Sequence, residues 1–250
     1  MLKDIFYEED MFPRFFTGMS AREYGYLFYD ATNKESFDSN HALIYQQKIS
    51  CLEGVLKDIV AFYDDLKITP RIYQAAEDEG YFKQNSALFK KYGFRVWEEG
   101  PNKFMVLEAE NNIIPTGKFD VRLLDKWDTQ IEENIFIASG EPWEIDVAKR
   151  TYELINGRVF VAYSETIPVG ISYMYLTDKV CRYNYILVNP EYRGMGCARD
   201  ILSYMVNYCV ENKVKNCFQW PAHKTSERIC YEAGFRVKCE NTAGRASRSL

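Results

Sequence analysis

The stretch Tyr185-Ile186-Leu187-Val188-Asn189-Pro190-Glu191-Tyr192-Arg193-Gly194-Met195-Gly196-Cys197-Ala198 decides how the chain reads. Its first four residues suit a strand. Pro190 ends that strand, because it has no N–H for a ladder. Gly194 and Gly196 then let the backbone turn through φ > 0 and come close to a ligand. An amphipathic helix starts at once. In a strand–glycine loop–helix unit the free N–H groups of the first helical turn face out of the loop. Hydrogen bonding and the macrodipole together attract phosphate there. First turns usually favour Asp or Glu. This one reads Gly196-Cys197-Ala198-Arg199, with Arg193 before it and Asp200 as the first carboxylate. Two guanidiniums and no side-chain anion leave room for an external one. A Walker A loop would need Gly-Lys-Ser/Thr, and a Rossmann fingerprint a third glycine where Arg199 stands. The competing reading is a glycine-rich helix start with no ligand.

Downstream, Ala198, Ile201, Leu202, Met205, Val206 and Cys209 form one helical face over residues 198–213. The same pattern lies 146 residues earlier in Leu52, Val55, Leu56, Ile59, Val60 and Tyr63. The register continues into a turn and a strand, with Ile72-Tyr73-Gln74 under Phe218-Gln219-Trp220. A second helical stretch follows each strand and ends alike, in Gly93-Phe94-Arg95-Val96 and Gly234-Phe235-Arg236-Val237. A glycine in the left-handed C′ position is a common helix stop. Helix, strand, helix and Gly-Phe-Arg-Val in one order mark a structural repeat. The pattern breaks near residues 111–118, so the expected domains are 1–116 and 117–250. The second copy reads as strands over 119–124, 158–164, 169–176 and 183–188, with helices over 125–138 and 143–155. Its small, polar and basic tail, 241–250, is expected to fray. The fold class is α/β (α+β): two similar domains, each a central mixed, mostly antiparallel sheet flanked by helices.

The chain has 250 residues, 47% apolar and 27% charged, an ordinary globular balance. Its net charge of −5 argues against a nucleic-acid partner. The charge is uneven: residues 1–116 hold 13 basic and 19 acidic residues, the remainder 18 and 17. Only the second half is neutral enough to welcome a polyanion. The seven Cys have no metal-ligand spacing and fit free thiols in a reducing cytoplasm. With only His41 and His223, a zinc site or Ser/His/Asp triad is poorly supplied, so no metal is expected. No apolar run spans a membrane, and the N-terminus turns acidic too soon for a signal peptide.

The motif Val188-x-Pro190-x-Tyr192-Arg193-Gly194-x-Gly196-x-Ala198 resembles the acetyl-coenzyme A loop of the GNAT-type N-acetyltransferase superfamily. Ile229-Cys230-Tyr231-Glu232-Ala233-Gly234-Phe235 resembles that family's Tyr-Glu-x-x-Gly-Phe signature. The resemblance covers residues 117–239, and the order of elements agrees with it. It implies that the strand ending at Leu187-Val188 splays from its neighbour and pairs with pantetheine amides. It implies that Arg193, Gly194, Met195, Gly196, Cys197 and Ala198 hold the pyrophosphate. Tyr231 would protonate or hydrogen-bond the leaving thiolate. The implied reaction is attack of a primary amine on acetyl-CoA in a ternary complex, without an acyl-enzyme. The family's frequent strand glutamate is missing from 183–188, which leaves Asp178, Tyr183 and Tyr185 as candidate bases. Tyr183 and Tyr185 equally suit a core or pocket wall. His223 suits a polar pocket or a surface loop. Cys197 has no activating base adjacent in sequence and reads as structural.

The first copy has Gln47-Lys48-Ile49-Ser50 where the loop should be, and Lys90 in place of Tyr231. It reads as a degenerate GNAT-like domain whose negative charge repels coenzyme A phosphates. The acceptor is expected to be a small amine, and the acidic half suits a cationic one. A non-catalytic acyl-CoA sensor and another acyl or aminoacyl transferase are the rival readings. A monomer and a homodimer fit the sequence equally.

Overall fold

The computed structural model describes residues 1–108 and 112–248. Asn111, at the start of the expected boundary, and Ser249-Leu250 of the tail lie outside them. The chain divides into two compact units. One comprises Phe6–Asn102 and the chain from Glu240. The other comprises Met1–Ile5 and Lys103–Cys239. The division thus differs from a single cut at 116/117. The reason is that two long strands each serve both units.

After helix α1 (Leu2–Met11), the N-terminal unit runs β1 (Gly18–Arg22), β2 (Gly25–Tyr29), β3 (His41–Ile44), α2 (Leu52–Asp65), β4 (Arg71–Gln74), α3 (Tyr81–Gln84) and α4 (Ser86–Lys91). It ends in the first part of β5 (Phe94–Leu107). Neighbours β1/β2 and β2/β3 are antiparallel, and β3/β4 is parallel. The C-terminal unit takes the end of β5. It continues through β6 (Asp120–Leu123), α5 (Thr129–Ile131, running on as π-helix to Ile137), α6 (Glu144–Glu153), β7 (Gly157–Ser164), β8 (Ile167–Leu176) and β9 (Cys181–Val188). Then follow α7 (Cys197–Glu211), β10 (Cys217–Gln219), α8 (Lys224–Glu232) and β11 (Phe235–Arg248). Strands β6 to β9 pair antiparallel in sequence, β9/β10 is parallel, and β10/β5 is antiparallel.

The repeat is visible in the backbone. Each unit joins its parallel pair by one amphipathic helix, α2 or α7, as a parallel connection requires. Buried Val55, Leu56, Ile59 and Tyr63 match buried Ile201, Leu202, Met205 and Cys209 at the same offset of 146 residues. Both helices end on a lysine at φ 54°, Lys67 and Lys213. The following amide closes each end alike: Ile68 N–H donates to Tyr63 O at 2.9 Å, and Val214 N–H to Cys209 O at 2.8 Å. Gly93 and Gly234 take φ 82° and 94° ahead of buried Phe94 and Phe235.

The tail does not fray. Residues Arg245, Ala246 and Ser247 of β11 pair antiparallel with β4, while Met105 and Val106 of β5 pair with β10. Each half of the chain therefore lends a strand end to the unit of the other. The tail's polarity is met locally: the Arg245 guanidinium lies 3.9 Å from the Tyr73 ring centre, and Arg248 Nη1 donates to Asp64 Oδ2 at 3.0 Å.

A glycine fixes where α7 starts. Gly170 of β8 faces Val188 of β9, and a Cβ added there would lie 2.7 Å from Cys197 Sγ and 3.0 Å from Ile201 Cδ1. The first turn of α7 thus sits directly on the sheet. Overpacking of this kind costs about 1–3 kcal/mol. Gly170→Ala should destabilise the chain by that amount in chemical denaturation. Adding Cys197→Ala should restore more than half of it, because the Sγ is the nearest obstacle. Additive losses in the pair would show that the two residues do not share this contact.

Candidate active site

Strand β9 is in register with both neighbours at its beginning. On the β10 side the parallel register holds at Cys217↔Cys181 and Phe218↔Arg182 and then stops. Residues 183–188 continue in register with β8. Within that stretch the register shifts, so that Asn184 and Tyr185 together face the single residue Tyr173. Such a bulge bends the strand and re-aims its side chains. Tyr183 points into the core beneath α7, whereas Tyr185 comes edge-on to Tyr173, at 6.3 Å between ring centres.

Beyond Val188 the chain turns tightly. Asn189 Oδ1 accepts from Glu191 N–H at 2.9 Å, and its Nδ2 donates to Asn134 O at 2.6 Å. A single 3-10 turn, Pro190–Tyr192, leads into the loop. Gly194 and Gly196 take φ 78° and 97°. At Gly194 the requirement is conformational alone, since a Cβ would meet nothing within 4 Å. At Gly196 a Cβ would also lie 2.3 Å from Thr116 Cγ2. Helix α7 begins at Cys197 with no side-chain cap. Among the described residues, no acceptor meets the N–H groups of Gly194, Met195, Gly196, Cys197 or Ala198. Five amides at a helix N-terminus can together hold an anionic oxygen cluster.

Asp200 does not cap this terminus. It is 4% exposed, and its carboxylate accepts from Thr116 N–H and Thr116 Oγ1, both at 2.6 Å. That pair pins the segment before β6 beside Gly196. Thr116 is a site residue that sequence reading missed, because its partner lies 84 positions away. The two guanidiniums also differ from expectation. Arg199 is taken up by Glu232 at 2.6 Å. Arg193 is exposed and uses only Nε, which donates to Val188 O at 3.0 Å. One guanidinium, not two, therefore offers its terminal nitrogens beside the loop.

The remaining candidates fall in different places. Tyr183 is 4% exposed and donates toward Met205 O and Cys209 Sγ, which makes it a core residue. Asp178 is exposed in the turn before β9, at the opposite end of that strand from the loop. Tyr185 is half-buried to exposed, and its hydroxyl donates to Glu141 Oε2 at 3.3 Å. Glu141, on the loop before α6, is the carboxylate that the structure brings to β9. His223 is exposed at the start of α8, where its N–H donates to Ser226 Oγ. Tyr231 is 40% exposed, with the Arg236 guanidinium 5.9 Å from its ring centre. The sequence around it is Tyr231-Glu232-Ala233-Gly234-Phe235. That is one residue shorter between tyrosine and glycine than the signature it resembles. The signature's tyrosine position is held by Cys230, 3% exposed and in the core. Neighbouring helical positions differ by about 100°, so Tyr231 presents its ring on a different side of α8.

In the N-terminal unit both features of the site are missing. Strand β3 stays paired with β4 through Ile44↔Gln74, so no edge opens. A 3-10 turn, Gln46–Lys48, replaces the glycine loop, and α2 carries Glu53 in its first turn.

The C-terminal unit thus combines a mixed sheet, a parallel pair whose register ends early, and a helix without a side-chain cap beside it. Residues 156–237 match the family model described as Acetyltransferase (GNAT) domain. Solved structures resemble the whole chain. A functionally unknown conserved protein from Staphylococcus epidermidis is 13% identical with a TM-score of 0.65, over 97% of this chain and 98% of that one. A GCN5-related N-acetyltransferase from Kribbella flavida is 12% identical with a TM-score of 0.65, over 99% and 95%. One from Sphaerobacter thermophilus is 13% identical with a TM-score of 0.55, over 94% and 84%. No curated protein matches the sequence.

Cys197, though beside the loop, is not a nucleophile in waiting. It is 2% exposed, and burial pushes its thiol up to about 12. At pH 8 about one molecule in 10⁴ carries the thiolate that alkylation needs. Iodoacetamide on the native protein should label exposed Cys51 and spare Cys197, as read by peptide mass mapping. Rapid labelling of Cys197 would reopen a covalent route.

Proposed function

We propose that the chain is an acetyl-CoA-dependent N-acetyltransferase that acetylates a small primary amine by direct attack within a ternary complex. The observation that carries this reading is the cluster of five amides at 194–198 without an acceptor among the described residues, next to the end of β9 where its register with β10 has stopped. Acetyl-CoA, as cosubstrate, supplies the thioester. The amides of Gly194, Met195, Gly196, Cys197 and Ala198 receive the pyrophosphate, with Arg193 beside them. Leu187 and Val188 offer backbone groups to the pantetheine amides. Asp200 and Thr116 hold the loop in the conformation that keeps those amides pointing outward.

On the acceptor side, the Tyr185–Glu141 pair stands where a proton leaving the amine can be taken, directly or through one water. A carboxylate there also favours a cationic acceptor, in line with the acidic excess of residues 1–116. Tyr231 is proposed for the leaving thiolate on the strength of its exposed phenol, which must reach the sulfur from the side of α8 that the one-residue shift gives it. The absent splay and glycines make the N-terminal unit a companion without its own cofactor site.

Two variants test the reading. Acetyl-CoA at about 100 times its dissociation constant should stabilise the chain by roughly 2.7 kcal/mol. Gly196→Val should abolish that shift, since valine resists φ 97° and meets Thr116. An unchanged shift would remove the loop from the cofactor site. Tyr231→Phe should lower kcat by roughly 10²–10⁴-fold, as for loss of a general acid, with cofactor affinity unchanged. An unaltered kcat would leave thiolate protonation to water.

A further inference from the structure

Four sulfur atoms converge at the point where β9 and β10 part. Cys181 opens β9 and Cys217 opens β10, and the two are registered partners in the parallel pair. Cys209 on α7 and Met174 on β8 join them. The three Sγ atoms all lie within 4.8 Å of one another. Met174 Sδ lies 3.4 Å from Cys181 Sγ and 3.8 Å from Cys209 Sγ. All four residues are at most 1% exposed. The Tyr183 hydroxyl donates to Cys209 Sγ at 3.0 Å. The spacings of 28 and 8 residues hid this group from a search for ligand motifs.

The donor set selects its ion. Thiolate and thioether ligands favour thiophilic ions such as Cu(I) over oxygen-seeking Mg²⁺ or Ca²⁺. No imidazole or carboxylate joins the group among the described residues. A trigonal ion with metal–sulfur bonds of about 2.3 Å sets its sulfurs roughly 4 Å apart, within the span observed. The thioether is a soft donor that suits cuprous copper better than zinc.

We propose that Cys181, Cys209 and Cys217 bind one cuprous ion, with Met174 as the fourth sulfur. Binding forms copper–sulfur bonds and releases the thiol protons of the coordinating cysteines to solvent. Copper supplied as Cu(I) keeps its oxidation state. The Tyr183 hydroxyl offsets part of the negative charge left on Cys209. The ion ties β8, β9, β10 and α7 together at the vertex of the splay. The proposal is independent of the enzymatic reading, because no residue of the glycine loop takes part.

The test uses the full chain with the more accessible thiols removed, Cys51→Ser and Cys239→Ser. Cu(I) is titrated anaerobically against the chelator bicinchoninate. One ion per chain is expected, lost in Cys209→Ala and in Cys217→Ala and retained in Cys230→Ala, a buried cysteine outside the group. Since core substitutions can unfold a protein, copper-edge X-ray absorption on the chain with its cluster intact gives a second readout. It should show sulfur neighbours only. Oxygen or nitrogen in that shell, no retained copper, or full retention in a folded Cys209→Ala would each overturn the site.

Discussion

The contact of Cys197 Sγ with Gly170 governs the C-terminal unit. Only a residue without a side chain at 170 lets the first turn of α7 lie against β8, since a Cβ would stand 2.7 Å from that sulfur. With the helix start held there, the chain between Val188 and Cys197 must reverse within a few residues. That reversal demands positive φ at Gly194 and Gly196. Among the described residues, no acceptor meets the 194–198 amides of that loop. Nearby, the parallel register of β9 with β10 ends at Phe218↔Arg182.

The two copies differ at this point in a way the sequence alone already marks. Both build a parallel pair joined by a helix with the same left-handed ending, Lys67 or Lys213. In the N-terminal unit β3 remains paired to its end, and Glu53 supplies the carboxylate that a helix start ordinarily favours. In the C-terminal unit the corresponding helix has Arg199 in its first turn, and its buried Asp200 is committed to Thr116. A structure kept for stability alone would complete the ladder and complement the dipole. The C-terminal copy does neither, and an unmet cluster of amides is the expected signature of a ligand site.

The repeated helices and the glycine loop were legible in the sequence because they rest on local rules. A 3.6-residue apolar period, a proline that ends a strand and glycines before a helix need no knowledge of distant partners. What escaped the sequence depends on partners far along the chain. Thr116 reads as part of an interruption until Asp200 takes both its donors. Arg199 reads as a free cation until Glu232 pairs with it. The tail reads as frayed because it is polar, yet Arg245 stacks on Tyr73 and its strand pairs with β4, 172 residues earlier. Tyr231 illustrates a different limit: a one-residue change in spacing leaves a motif recognisable by eye and rotates its key side chain around the helix.

On the proposed function, one copy of the repeat holds coenzyme A through backbone amides and the other does not. Backbone ¹⁵N–¹H spectra of the full chain during a titration with acetyl-CoA address it directly. Large shifts and slowed hydrogen exchange are predicted at Gly194, Met195, Gly196, Cys197 and Ala198, with residues 47–52 unmoved. Equal responses in both segments, or none at 194–198 while the protein binds acetyl-CoA, would contradict the account.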